Sequence, residues 1–171
     1  EADGEMIAML IQCLKNTGLE KFQISVGHMD YFKGLCEEAG LSKESEGSLR
    51  EAISIKNMFA AKDILDALDI QTSAREALLE VADLFGSLQD LSYAKSLANN
   101  PRSIAAIERL EQLKSLLECY GIAQYISFDL GMLSQYHYYT GIVFKAFTYG
   151  IGDAIVKGGR YDNLLEFFGK K

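Results

Sequence analysis

The chain has 171 residues, 49% of them hydrophobic, and a formal net charge of −7, with an isoelectric point near 4.9. That acidic balance excludes a surface that coats nucleic acid, whose affinity comes from clustered Lys and Arg on phosphates. No apolar run approaches the roughly 20 residues that cross a bilayer.

A chain of this length buries about 70% of its unfolded surface, so one core or two small ones are feasible. Cys13, Cys36 and Cys119 are odd in number and free of any C-x-x-C pair, which predicts reduced, buried thiols and a cytoplasmic setting. The first residue is Glu1, no basic segment leads an apolar one, and both ends cut into patterned sequence. The expectation is a piece of a longer protein.

Residues 1–35 begin with Asp3 and Glu5, whose charge suits a helix N-terminus, followed by Met6, Ile7, Leu10, Ile11 and Leu14 at helical spacing up to Gly18. This predicted helix is apolar nearly all round. In "FQISVGH", Phe22, Ile24, Val26 and His28 share one face, and Gln23, Ser25 and Gly27 share the other. The pattern predicts a strand with one core face and one face open to a polar cleft.

Residues 36–121 lose the alternation and break into helical pieces punctuated by Gly40, Gly47, Gly86 and the pair Asn99, Asn100. Apolar stripes of Ile53, Phe59, Ile64, Leu65, Leu68 and of Leu78, Val81, Leu84, Phe85 suit a small bundle. The last piece is the clearest: Asn100 can cap, Pro101 sits where its missing N–H costs nothing, and Ile104, Ile107, Leu110, Leu113 and Leu117 recur until Gly121. The charges across these helical pieces are mixed in sign, with no basic stripe.

From Ile122 a β pattern returns in "ISFDLGML", "GIVFKAFTY" and "AIVK", and "GGRYDNLLEFF" reads as a turn into a helix. Ile142, Phe144, Ala146 and Thr148 alternate with Val143, Lys145, Phe147 and Tyr149, so both faces are mostly apolar and the strand is expected to be central. The order predicts an α+β fold, an antiparallel sheet flanked by helices with an all-α module inserted, divided as 1–35, 36–121 and 122–171.

The motifs narrow the chemistry. "GIGD", Gly150 to Asp153, lies between two strands without the following helix of a dinucleotide fingerprint, and is predicted to be a hairpin turn. No phosphate-binding G-x-x-x-x-G-K-[ST] and no G-x-S-x-G occurs. His28 and His137 are the only histidines and lack neighbours for a metal site, so no metal or cofactor is called for; His28 is expected to be a satisfied core residue. "VKGGRYDNL" differs in kind. Gly158 and Gly159 permit close approach of a ligand or another backbone. Arg160 offers a fork for carboxylate or phosphate, Tyr161 an amphipathic ring, and Asp162 a cap for a helix beginning near Asn163. A ligand rim and an Arg–Asp pair bracing the turn are both compatible with these residues.

"FQISVGHMDYFKGL", "FDLGMLSQYHYYTGIVFKAF" and "GGRYDNL", in this order around a helical insertion, resemble the catalytic core of histidyl-tRNA synthetases and their paralogues. The resemblance implies a class II synthetase fold, usually dimeric. It places Tyr138, Tyr139, Thr140, Gly141, Gly158, Gly159, Arg160 and Tyr161 around a histidine-shaped pocket. It also implies that two of the family's motifs lie before Glu1 and one after Lys171.

The chain departs from the synthetases where they carry Arg-Gly-Leu-Asp before the tyrosine pair: here stand Ser134, Gln135, Tyr136 and His137. That arginine is expected to hold the α-phosphate of ATP and the substrate carboxylate, and a serine supplies neither its charge nor its reach. A paralogous family with the fold but without that arginine is the regulatory subunits of ATP phosphoribosyltransferase, which the chain resembles most. The resemblance implies no catalysis of its own, a hetero-oligomer with a short catalytic subunit in histidine biosynthesis, histidine as effector, and no nucleic acid or membrane partner. A divergent synthetase and a scaffold with a vestigial pocket are the other two readings.

Overall fold

The protein is described here from a computed structural model. It describes residues 1–86, 88–133 and 139–169, with the backbone alone at 88–90, 166 and 167. The N-terminal helix α1 (Ala2–Asn16) leads into strand β1 (Phe22–His28) and helix α2 (Met29–Glu38). Helices α3 (Lys43–Ser54), α4 (Met58–Asp66) and α5 (Thr72–Glu80) follow, then the two-residue strand β2 (Phe85–Gly86), α6 (Leu88–Leu97) and the long α7 (Pro101–Cys119). Strands β3 (Ile126–Asp129), β4 (Ile142–Thr148) and β5 (Val156–Gly159) and the short helix α8 (Leu164–Phe167) complete the described chain.

The strands form one sheet in the order β2-β3-β1-β4-β5, so the expected α+β class holds and β4 is central. One pairing differs from a purely antiparallel sheet: β1 and β3 run parallel, with Ile24 opposite Ile126 and Val26 opposite Phe128. The chain between them is the helical stretch, and a long crossover is the kind of connection that brings the second strand back in the same direction. β2 is contributed from within that stretch and pairs with β3 through Phe85–Asp129 and Gly86–Phe128. Two residues carry no alternation to read, which is why periodicity does not reveal it.

β1 has fewer open positions than its alternation predicts. Gln23 is exposed, but Ser25 is buried and its Oγ lies 3.2 Å from Ser127 Oγ of β3, while Gly27 is opposite Val143. Val143 packs with Met29, Met132 and Tyr139 in a small second cluster. The expected polar cleft along this face is closed by β3's serine at one point and by that cluster at another.

α7 follows the predicted signals. Asn100 Oδ1 accepts from Arg102 N at 2.8 Å, Pro101 occupies the first turn, and Ile107, Leu110, Leu113 and Leu117 are buried. Its main partner is α2. Gly34 of α2 lies against Ser103, whose hydroxyl donates to the Tyr31 carbonyl at 2.8 Å, and Tyr31 Oη donates to the Ala94 carbonyl at 2.9 Å. Arg102 of α7 forks onto Asp30 of α2 and also reaches Glu37. One hydrophobic cluster joins the helices to the sheet, with Ile7, Ile24, Phe32, Leu49, Leu65 and Leu110 among its members.

Two expectations about side chains are corrected. Phe59 and Phe85, assigned to buried stripes, are largely exposed, whereas Ile53, Leu65, Leu78 and Val81 of the same stripes are buried. Of the three free cysteines only Cys36 is buried. Burial pushes the Cys36 thiol far above its ordinary value, which keeps it protonated and inert.

Candidate functional site

The β4–β5 hairpin builds one wall of the site. The "GIGD" turn lies in the connection between the two strands, with Gly150 at φ 80°, and Asp153 Oδ1 accepts from Ala154 N at 2.7 Å. Lys157 Nζ sits 3.0 Å from the Asp153 carboxylate and, by its hydrogen bond, holds that carboxyl below the usual range. The predicted hairpin is therefore closed by its own ion pair.

Gly158 and Gly159 lie within β5, opposite Phe144 and Val143, and the reason for their small size is aromatic. A Cβ on Gly158 would meet the Phe144 ring at 2.5 Å, and one on Gly159 would meet the Tyr139 ring at 2.7 Å and the Ile142 carbonyl oxygen at 2.9 Å. The close approach expected at this pair is thus made by rings lying on the strand as well as by backbone.

Beyond β5 the chain folds back on itself. Arg160 N donates to the Ile142 carbonyl at 2.8 Å, and Thr140 N donates to the Arg160 carbonyl at 2.9 Å. Arg160 Nε forks onto the two Asp162 carboxylate oxygens at 2.9 and 3.0 Å. Thr140 Oγ1 donates to Asp162 Oδ2 at 2.8 Å and accepts from Asp162 N at 3.1 Å. Among the described residues, the Asp162 carboxylate pairs with Arg160 and Thr140 rather than making the predicted cap. The Arg160 hydrogen bond, followed by the Thr140 one, holds the Asp162 carboxyl below the usual carboxylate range. The Arg–Asp brace is present, and it leaves the Arg160 side chain 45% exposed.

α1 supplies the opposite wall. It buries Ile7, Ile11 and Leu14 against the core and turns a second apolar face, with Met6, Met9 and Cys13, towards the hairpin. Between them opens a cavity of about 710 Å³, also lined by Asp3, Tyr139, Ile142, Phe144, Gly158, Gly159, Arg160 and Tyr161, a size ordinary for small-molecule sites. The Tyr139 and Tyr161 rings meet edge to face with centroids 6.4 Å apart. The site residues named from sequence thus converge: Tyr139, Gly158, Gly159, Arg160 and Tyr161 line the cavity, Thr140 braces it, and Gly141 lies behind it. Tyr138, like Ser134, Gln135, Tyr136 and His137, lies outside the described residues. Asp3, Met6, Met9 and Cys13 were not foreseen; the signal available was a first helix apolar on more faces than one core needs.

His28 ends β1 behind this wall. Its Nδ1 accepts from Asp30 N at 3.2 Å, capping α2, and a Cβ on Gly141 would lie 3.9 Å from its Nε2. The expected core histidine is partly buried and satisfied as a helix cap. Burial lowers its pKa; the Asp30 and Asp3 carboxylates pull the other way, and Arg109 and Arg102 add to the lowering. Because the unfolded imidazole takes its proton first, His28 costs no stability above about pH 6.5 and costs progressively more as pH falls below that value toward its folded pKa. Exchanging His28 for Asn, a strong cap that does not titrate, is expected to flatten the fall of stability in that interval. Urea unfolding midpoints across it are the check, and an unchanged slope would remove His28 as the cause.

A family model described as histidyl-tRNA synthetase matches residues 1–171. The chain is 44% identical over its whole length to an ATP phosphoribosyltransferase regulatory subunit from Ruminiclostridium cellulolyticum, spanning 41% of that protein. It is 42% identical over 99% of its length to one from Acetivibrio thermocellus, again spanning 41% of the relative. Among solved structures, an ATP phosphoribosyltransferase regulatory subunit/histidyl-tRNA synthetase from Bacillus halodurans superposes with a TM-score of 0.89 at 31% identity, over 99% of this chain and 45% of that one. The chain therefore spans under half of the length of these relatives. Across that whole span, with its β-hairpin wall and its paired tyrosines, the chain belongs to the histidyl-tRNA synthetase family.

Proposed function

We propose that this chain is part of a regulatory subunit of ATP phosphoribosyltransferase. In this reading the subunit joins a short catalytic subunit, is itself a homodimer, and binds histidine as a feedback effector without activating it. Residues 36–121 are then a largely helical module, lending the sheet only the two-residue β2, inserted between the two main sheet-forming parts. The observation that carries the reading is the 44% identity over the entire chain to a protein of that name.

The chemistry agrees. Histidine carries a carboxylate and a planar ring, and the cavity offers Arg160 for the carboxylate and Tyr139 and Tyr161 as aromatic walls. Adenylate formation would need a cation on the α-phosphate, and in this reading Ser134 takes the place of the arginine that the resemblance to the synthetases leads one to expect there. Loss of one such stabilising group costs roughly 10²- to 10³-fold in rate. A pocket that keeps its binding walls and loses its activating charge suits a sensor, which must not consume what it measures.

The second reading, a divergent synthetase, is favoured by the family model itself. Both are tested with the full-length protein. The expected result is co-purification with the short catalytic subunit, histidine binding by calorimetry, and no histidine-dependent pyrophosphate exchange into ATP. Robust exchange would establish the synthetase; failure to bind histidine, alone or in the complex, would remove the sensor.

A further inference from the structure

The Asp3 carboxylate stands between two guanidiniums from distant parts of the chain. Its Oδ2 accepts from Arg109 Nη2 of α7 at 2.9 Å, and its Oδ1 lies 3.7 Å from Arg160 Nη1 on the cavity wall. The Asp3 side chain is only 12% exposed, whereas both arginines are at least 40% exposed. Arg160 is thus flanked by two carboxylates of its own chain, Asp162 on Nε and Asp3 towards Nη1. An incoming carboxylate must compete with both for the same cation. Asp162 is locked by Thr140 as well, but Asp3 has an alternative partner. Arg109 and Arg160 thus share one carboxylate, and whatever Arg109 engages of it is less available to Arg160.

We infer that Asp3 is a positioning residue that sets the strength of Arg160 as a carboxylate site, and that Arg109, which does not line the cavity, regulates that strength through Asp3. Resting on the reading of the cavity as a histidine site, this makes α7 a second point of control over ligand affinity. Movement of α7 that lengthens the Arg109–Asp3 contact weakens histidine binding, and histidine on Arg160 in turn favours the arrangement in which Asp3 is held by α7.

The effect expected from a partly exposed ion pair is roughly two- to fivefold in affinity. In the full-length protein, Arg109→Met is expected to weaken histidine binding by that factor and Asp3→Asn to strengthen it. The double variant is expected to match Asp3→Asn, because Arg109 has nothing left to act through. Histidinol, which lacks the carboxylate, is expected to respond to none of the three. Packing loss would move both ligands, and both single variants, in the same direction, which would overturn the inference. A ligand-free measurement decides separately from the functional reading: the Arg160 Nε–H resonance should shift on Arg109→Met in the Asp3 background and not in the Asn background. If the wild type binds no histidine but this pattern is seen, the sensor reading fails and the coupling stands; if the resonance ignores Arg109, the coupling fails.

Discussion

Gly34→Ala is expected to be among the most destabilising small substitutions in this chain, by about 2 to 4 kcal/mol. A Cβ at that position would lie 2.2 Å from Ser103 Oγ, 2.7 Å from Ser103 N and 3.1 Å from Asn100 Oδ1. Those groups form the capped first turn of α7, and the Ser103 hydroxyl, fully buried, donates to the Tyr31 carbonyl. Overpacking of this kind costs about 1–3 kcal/mol and a lost buried hydrogen bond about 1 more. At about 2–4 °C per kcal/mol for a chain of this size, thermal unfolding should drop by several degrees. Adding Ser103→Ala removes the nearest atom but leaves the backbone nitrogen, so the double variant should not recover wild-type stability. Full recovery would show that α2 and α7 are held apart by the hydroxyl alone.

The second large effect is expected at Gly159, and on binding. A Cβ there would push on the Tyr139 ring and on the Ile142 carbonyl, the same carbonyl that accepts from Arg160 N. Gly159→Ala therefore displaces the aromatic wall and the cation together, and histidine affinity of the full-length protein should fall by about tenfold or more, the equivalent of the 1.4 kcal/mol at the low end of an overpacking penalty. Gly152→Ala, in the same hairpin with nothing within 4 Å of its Cβ, should leave binding unchanged. Calorimetry on both variants is the check, and equal affinities would detach Gly159 from the pocket wall.

The parts of the fold that were legible in the sequence are those dictated by local chemistry. Asn100 and Pro101 announce α7 because a cap and a proline act within one turn, and the two-sided apolar alternation of β4 declares a central strand because both of its faces are covered. Direction of pairing was not legible: nothing in Ile126 to Asp129 says that it runs parallel to β1, since that is set by where a hundred residues of intervening chain deliver it. The role of His28 was hidden for a related reason. Its strand alternation points to the core, yet β1 stops there and α2 begins at Met29, so its ring acts at a helix terminus. In the site, the residues of one hairpin could be read together because they are neighbours in sequence, whereas Asp3 reaches the cavity, and Arg109 reaches Asp3, only through packing.

The parallel pair at the centre of the sheet also sets the order in which the chain can fold. Ser25 and Ser127 touch across 102 residues, and closing an unstructured loop of that length carries an entropic cost that grows with the logarithm of its length. The β4–β5 hairpin closes only a short loop and can form early. The β1–β3 ladder is expected to lock late, after the helices have folded and shortened the path between its strands. The sheet's middle, and with it the support beneath the cavity, is then the last region to gain protection from amide exchange during refolding.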